Sequence, residues 1–213
     1  MYAPPQYREE RPEVLYKAIS DLKLAALVTS GPDGLVATHL PMALRDGEDG
    51  MVLEGHVAIQ NPHWRVVEHA PLASVAIFQG PHAYISPNWY ESKRAHGKVV
   101  PTWNYVAIHA SGALTAVRDE AWLARHLDEL TAASEADQPH PWSVSDAPQD
   151  FIRNLRRAIV GVSLRIDRIE GAWKMIQHRS EGDRRGAMAG LEGSALAGAA
   201  AVAHVMRDLE AGR

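Results

Sequence analysis

Apolar and polar positions change period several times along the chain, and each change marks an element. In PEVLYKAISD (12–21), Val14, Leu15, Ala18 and Ile19 share one face at helical spacing, which predicts a short amphipathic helix. LAALVTS (24–30) and LVATHLPMA (35–43) read as strands. GPDG (31–34) joins them in a tight turn, where proline presets one dihedral and glycine supplies positive φ. RDGEDG (45–50) is a second turn and MVLEGHV (51–57) a third strand. Asn61-Pro62 has the form of a helix start, a capping residue followed by proline, and predicts a helix to about His69. Residues 71–79 read as a fourth strand, 83–86 continue extended, and PNWYESKRAHGK is a turn and loop. VPTWNYVAIHASGALTAV (100–117) is one long strand or two joined at Gly112.

Beyond Val117 the period becomes helical. Asp119 caps a helix to about Ser134, with Trp122, Leu123, His126, Leu127 and Leu130 on its apolar face. A second helix is predicted over 147–158 and a last strand over 159–169, extended by 173–177. Residues 182–213 read as mostly helical, broken at GLEG (190–193). Six or more strands joined mostly by tight turns predict an antiparallel sheet closing on itself: a small β-barrel with flanking α-helices and a helical C-terminal part. The expected division is a barrel domain over 1–180, with a helical insertion at about 119–158, and a C-terminal helical extension over 181–213.

Composition narrows the chemistry. With no cysteine among 213 residues there is no disulfide, thiolate zinc site, Fe–S cluster or cysteine nucleophile. The first residues lack a secretory pattern, and the Ala-rich stretch 194–206 is too short and too weakly apolar to span a bilayer. The expectation is a soluble, cytoplasmic protein with no membrane partner. A net charge of −4 argues against general nucleic-acid binding. The basic residues that stand out are Arg153, Arg156 and Arg157 in FIRNLRR, with Arg184 and Arg185 further on; arginines on a solvated helix face are the plainer account. The eleven histidines form no HExxH or HxH, so no metal site is expected, although haem ligation needs only one histidine. No G-x-S-x-G, G-x-G-x-x-G or P-loop motif occurs.

Four stretches taken in order carry a family likeness: ATHLPM (37–42), GHVAIQNPHWR (55–65), FQGPHAYISPNWY (78–90) and VPTWNY (100–105). Together they resemble the PaiB-type family, described as FMN-binding negative transcriptional regulators, over roughly residues 1–190. The resemblance implies the antiparallel FMN-binding split barrel shared with pyridoxine phosphate oxidase, and a homodimer with FMN at its interface. One segment departs. Where the family has Lys-x-Ser-Gln-Asn, this chain keeps Lys174 and Gln177 but carries Ile176 and His178.

FMN needs donors for its phosphate, a flat slot for its ring system, and polar partners at the ring edge. Asn61 and Arg65 suit the phosphate, with His56, Val57 and Ala58 leading in. Thr38, His39, Leu40 and Pro41 suit the ring edge, because a proline interrupts a strand ladder and frees backbone groups. Thr102, Trp103 and Asn104 offer an aromatic face and an amide, and Lys174 and Gln177 complete the candidate set. Each motif has a plainer account: an N-cap with a surface arginine, a strand leaving the sheet, aromatics filling a dimer interface. In FQGPHAYISPNWY, Tyr84, Trp89 and Tyr90 wall a pocket and His82 is a proton donor or axial ligand, or the segment is a barrel corner whose aromatics pack.

Four functions follow. The first is an FMN-binding homodimeric regulator or flavin-linked sensor, acting on DNA or a regulatory protein. The second is an FMN-dependent oxidoreductase, and the third a haem-binding or haem-degrading barrel. The fourth is a dimerisation module whose groove holds no cofactor. Fold alone does not choose among them.

Overall fold

The computed structural model describes residues 1–212. Among the described residues there are seven strands, β1 (Arg8–Glu9), β2 (Leu24–Gly31), β3 (Gly34–Gly47), β4 (Gly50–Ala58), β5 (Leu72–Ile85), β6 (Thr102–Val117) and β7 (Ile159–Lys174), and seven α-helices. The helices are α1 (Pro12–Leu22), α2 (His63–Val66), α3 (Glu91–His96), α4 (Glu120–Glu135), α5 (Gln149–Arg156), α6 (Glu181–Glu192) and α7 (Ala199–Ala211). The strand order is β1-β7-β4-β3-β2-β5-β6, and β6 pairs back onto β7. Hydrogen bonding therefore runs round a ring of six strands with β1 as an outer edge. The β2–β3, β3–β4, β2–β5, β4–β7 and β1–β7 pairs are antiparallel.

The tight turns set the registers. Gly31 pairs with Gly34 and Gly47 with Gly50, and Gly34 and Gly50 have φ near +116° and +115°, a region closed to most side chains. Strand alternation then sends Ala25, Leu27, Leu40 and Met42 inward.

The chain divides into two compact units. The first comprises Met1–Leu15, Gln79–Ile108 and Glu170 onward; the second comprises Tyr16–Phe78 and His109–Ile169. In the first, α6 and α7 share a core with Ala83, Ile85, Tyr90, Val106 and Met175, so this core runs across residue 180. In the second, Leu27, Leu53, Phe78, Leu114, Val162 and Leu164 are fully buried. Among the described residues no helix is long and apolar enough to cross a membrane.

Several boundaries differ from the sequence expectation. The helix predicted to reach His69 is a single turn, His63–Val66. Residues 72–85 form one unbroken strand, as do 102–117 and 159–174. Within the expected loop, ESKRAH folds as α3. Its support is non-local: Asp183 accepts from both the N–H and the hydroxyl of Ser92, at 2.9 and 2.7 Å, and Gly97 closes the far end in the left-handed conformation.

Candidate functional site

In the second unit the segment after β4 is held by a buried histidine. Asn61 Oδ1 accepts the His63 N–H at 2.9 Å, which caps α2 locally. His63 itself is 1% exposed, with Nδ1 2.9 Å from Thr38 Oγ1 and Nε2 2.8 Å from Thr29 Oγ1. Asn61 Nδ2 donates to the same Thr38 oxygen at 3.2 Å. Thr29 and Ser74 are register partners, their hydroxyls 2.7 Å apart, and Ser74 Oγ donates to the Leu72 carbonyl at 3.1 Å. The donors run in one direction. Because Ser74 spends its proton on Leu72, Thr29 donates to Ser74, His63 Nε2–H donates to Thr29, and Thr38 donates to His63 Nδ1. Burial pushes the His63 imidazole below its ordinary pKa, which favours this neutral form.

This network tethers the candidate phosphate residues. Trp64, beside His63, is 5% exposed and donates its indole N–H to the Ile59 carbonyl at 3.0 Å. The guanidinium groups of Arg65 and Arg118 lie 5.4 and 5.5 Å from the Trp64 ring centroid. Arg65 is exposed and makes no ion pair among the described residues. On β3 and β4, His39, Pro41 and Ala58 are exposed, while Leu40 and Val57 are buried and offer only backbone.

His56 belongs to a different cluster. Its Nδ1 meets His126 Nε2 on α4, and the Trp122 ring stacks on His126 with centroids 5.0 Å apart. Glu54, 6% exposed, accepts two bonds from Arg125, at 3.0 and 3.1 Å, and one from Trp122 Nε1 at 3.1 Å. Arg45 adds a guanidinium 3.8 Å away. The α4 sequence shows His126 on the apolar face, but only the fold brings it to His56.

In the first unit, alternation along β6 separates the candidates. Trp103 is 54% exposed, with His82 and Tyr84 rings 6.4 and 6.2 Å from it. Asn104 is fully buried, its amide donating to Met206 Sδ at 3.4 Å. Lys174 Nζ donates to Thr102 Oγ1 at 2.8 Å and lies 5.6 Å from the Tyr105 ring centroid. Burial holds the Lys174 ammonium below its ordinary pKa. Gln177 closes on its own turn, accepting from Met175 N and donating to the Trp173 carbonyl.

The two departures from the family pattern have distinct surroundings. Ile176 is buried and held at φ +53°, an uncommon conformation for a β-branched residue. His178 Nδ1 is 2.7 Å from the Tyr7 hydroxyl. Burial first, then Arg179 and Lys174, push the His178 imidazole below its ordinary range. The Tyr7–His178 contact spans 171 positions, so no local signal announces it.

Residues 1–168 match the family model described as "Putative FMN-binding domain". The chain is 32% identical to an uncharacterised protein of Emericella nidulans, covering 98% of this chain and 97% of that protein. It is 29% identical to the "Protease synthase and sporulation protein PAI 2" of Bacillus subtilis, again covering 98% and 97%. Among solved structures, the hypothetical protein Rv2991 of Mycobacterium tuberculosis aligns with a TM-score of 0.58 at 12% identity, covering 85% of this chain and 98% of that one. The FAD and haem binding protein of Mycobacterium smegmatis aligns at 0.55 and 14% identity, covering 79% and 73%. At those identities the structural likeness carries the fold alone, while the family match extends over most of the sequence. The chain belongs to the PaiB-type family of split-barrel proteins, the family described as "Putative FMN-binding domain".

Proposed function

We propose that this protein binds FMN as a cytoplasmic homodimer and acts as a flavin-linked regulator of the PaiB type. The observation that carries the reading is the family match over residues 1–168. The residues present fit the cofactor. In the second unit, Arg65 is a cation without an acidic partner, next to a Trp64 anchored by the His63 network, and is assigned to the phosphate. Thr38 and Asn61 hold that segment, and the backbone of His39, Leu40 and Pro41 is assigned to the ring edge. His56, Val57 and Ala58 form the strand that leads in. In the first unit, Trp103, with His82 tilted beside it and Tyr84 edge-on, is an exposed aromatic face, assigned to the dimer face. Thr102 and Lys174 are assigned to ligand contact, while Gln177 positions its own turn and the buried Asn104 packs on Met206. Bound flavin supplies hydride and electron transfer. With a net charge of −4, regulation is assigned to a protein partner rather than to DNA directly.

The test is the visible spectrum and flavin fluorescence of the purified protein titrated with FMN, with haemin as a parallel titration. Saturable quenching by FMN supports the reading. A haemin Soret band without a flavin signal replaces it with haem binding. Sedimentation at several concentrations tests the dimer.

The Tyr7–His178 contact favours a second reading, an FMN-dependent oxidoreductase, because it places two groups capable of proton transfer beside one another. Turnover with a panel of reductants and acceptors, in the native chain and in Tyr7→Phe, separates catalysis from sensing.

A further inference from the structure

In the second unit, a cavity of about 230 Å³ opens between the C-terminal end of α5 and the start of α4. Its wall carries three guanidinium groups, those of Arg118, Arg156 and Arg157. The Arg156 Nε is buried and has no hydrogen-bond partner. A buried donor without an acceptor is costly, and that of a guanidinium more so. Among the described residues, the nearby ion pairs are made by Arg153 and Arg165, and neither Arg156 nor Arg157 has a carboxylate partner within ion-pair distance. Arg118 reaches Glu68 through an exposed contact of 3.4 Å and lies over the Trp64 ring, contacts that occupy only part of its donor set. Glu120 is the one carboxylate on the wall, and it is exposed. Positive charge therefore exceeds negative around this cavity, in a chain whose net charge is −4.

The remaining wall is apolar, made by Ile59, Leu123 and Val160 among others. Planar guanidinium forks match the oxygen geometry of phosphate and carboxylate, so the donor set selects an oxyanion. The size selects as well. Drug-sized ligands fill roughly 300–1,000 Å³, so this cavity suits a phosphate group with a few carbons better than an isoalloxazine.

We propose that Arg118, Arg156 and Arg157 form a binding site for a small phosphate-bearing metabolite, separate from the flavin assigned above. The arginines grip the phosphate, and Ile59, Leu123 and Val160 cover a short apolar body. FIRNLRR thus reads as part of a small-anion site rather than a surface for nucleic acid.

The test is a titration of inorganic phosphate with the flavin-free full chain at constant ionic strength, followed by phosphorus NMR line broadening. Saturable broadening is expected. Arg157→Gln, at an exposed position without an ion pair, is expected to weaken it about tenfold. The double variant Arg156→Gln/Arg157→Gln is expected to abolish it, while FMN affinity stays within about twofold. Undiminished broadening in Arg157→Gln, or its absence in the unaltered chain, overturns the proposal. Loss of phosphate binding on saturation with FMN also overturns it, because the cavity is then the flavin's own phosphate seat. The readout requires no flavin, so a failure of FMN binding remains distinguishable.

Discussion

His56 Nδ1 and His126 Nε2 lie 3.1 Å apart, so one imidazole donates to the other, and burial, which lowers both below their ordinary pKa, favours the neutral rings. Protonating the acceptor nitrogen sets two N–H groups against each other, and protonating both rings sets two cations edge to face. Burial, then His56, and to a smaller degree Arg125 and Arg45, hold His126 down to about 4, while Glu54 works in the opposite direction. Between that value and the ordinary value of 6.5, the unfolded chain binds a proton that the folded chain refuses. Stability is therefore intact above about pH 6.5 and falls as the pH drops towards 4, by up to about 3 kcal/mol at full effect. Burial lowers His56 and His63 too, and the sign is the same. Urea midpoints between pH 7 and pH 4 check this. The decline is expected to be shallower in His126→Phe, and an equal decline would remove the pair as its source.

Glu54 ties α4 to β4 through Arg125 and Trp122. Removing it leaves Arg125 without its bidentate acceptor and the indole N–H without any. A fully buried pair would lose roughly 3–5 kcal/mol, and the partial exposure of Arg125 reduces this. Glu54→Ala is expected to cost about 2–3 kcal/mol in chemical denaturation. Arg45 also reaches Glu129, so Arg45→Ala is expected to cost less.

Gly112 shows what the sequence pattern conveys and what it omits. A glycine inside a strand pattern suggests a joint between two strands or a close backbone approach. The structure has the close approach: a Cβ at Gly112 would stand 1.8 Å from the Arg165 carbonyl oxygen. Gly112→Ala is expected to destabilise by at least 1–3 kcal/mol, roughly the cost of overpacking, or to prevent folding. A midpoint near that of the unaltered chain would mean that β6 and β7 separate readily there.

Legibility followed the range of the interactions. β2 to β4 and their turns were readable because alternation and Gly-containing turns are local signals, and Asp119 caps α4 through the N–H of Trp122 as its position suggested. α3 was not, since its cap comes from Asp183, 91 residues away. Nor was the length of α2: the Asn61 cap is present, but the next residues turn Trp64 inward and the helix stops after one turn. At the candidate site, NPHWR drew attention to Asn61 and Arg65, whereas Thr29 and Ser74 gave no sign of sharing a network with His63. FIRNLRR was visible as charge, while the unpartnered Nε of Arg156 required coordinates.

The two candidate flavin regions give separable outcomes. Arg65→Glu reverses the charge assigned to the phosphate, so FMN affinity is expected to fall far more than riboflavin affinity. Trp103→Ala removes an exposed ring from the assigned dimer face, so both flavins are expected to lose affinity together, by about 0.5–1.5 kcal/mol for one aromatic contact. Fluorescence titrations with the two ligands measure this directly. A yellow cofactor copurifying unchanged with Arg65→Glu would refute the phosphate assignment.

The donor chain through His63 makes a claim about a single proton. If Ser74 donates to Leu72, every donor upstream is committed, and the His63 proton lies on Nε2 rather than Nδ1. The opposite tautomer would point Nδ1–H at Thr38, which already accepts from Asn61, and would leave two hydroxyl protons for the three contacts His63–Thr29, Thr29–Ser74 and Ser74–Leu72. Long-range nitrogen–proton correlation spectra above pH 7 are expected to show His63 protonated at Nε2. Ser74→Ala removes the acceptor of Thr29, at a cost of about 1 kcal/mol or more if that hydroxyl stays buried and unpaired. It also frees the Thr29 proton to turn towards His63, so the Nδ1–H tautomer is expected to gain population. A native chain with Nδ1 protonated would reverse the direction of the whole network, and Thr38 would then have its own proton to offer outward.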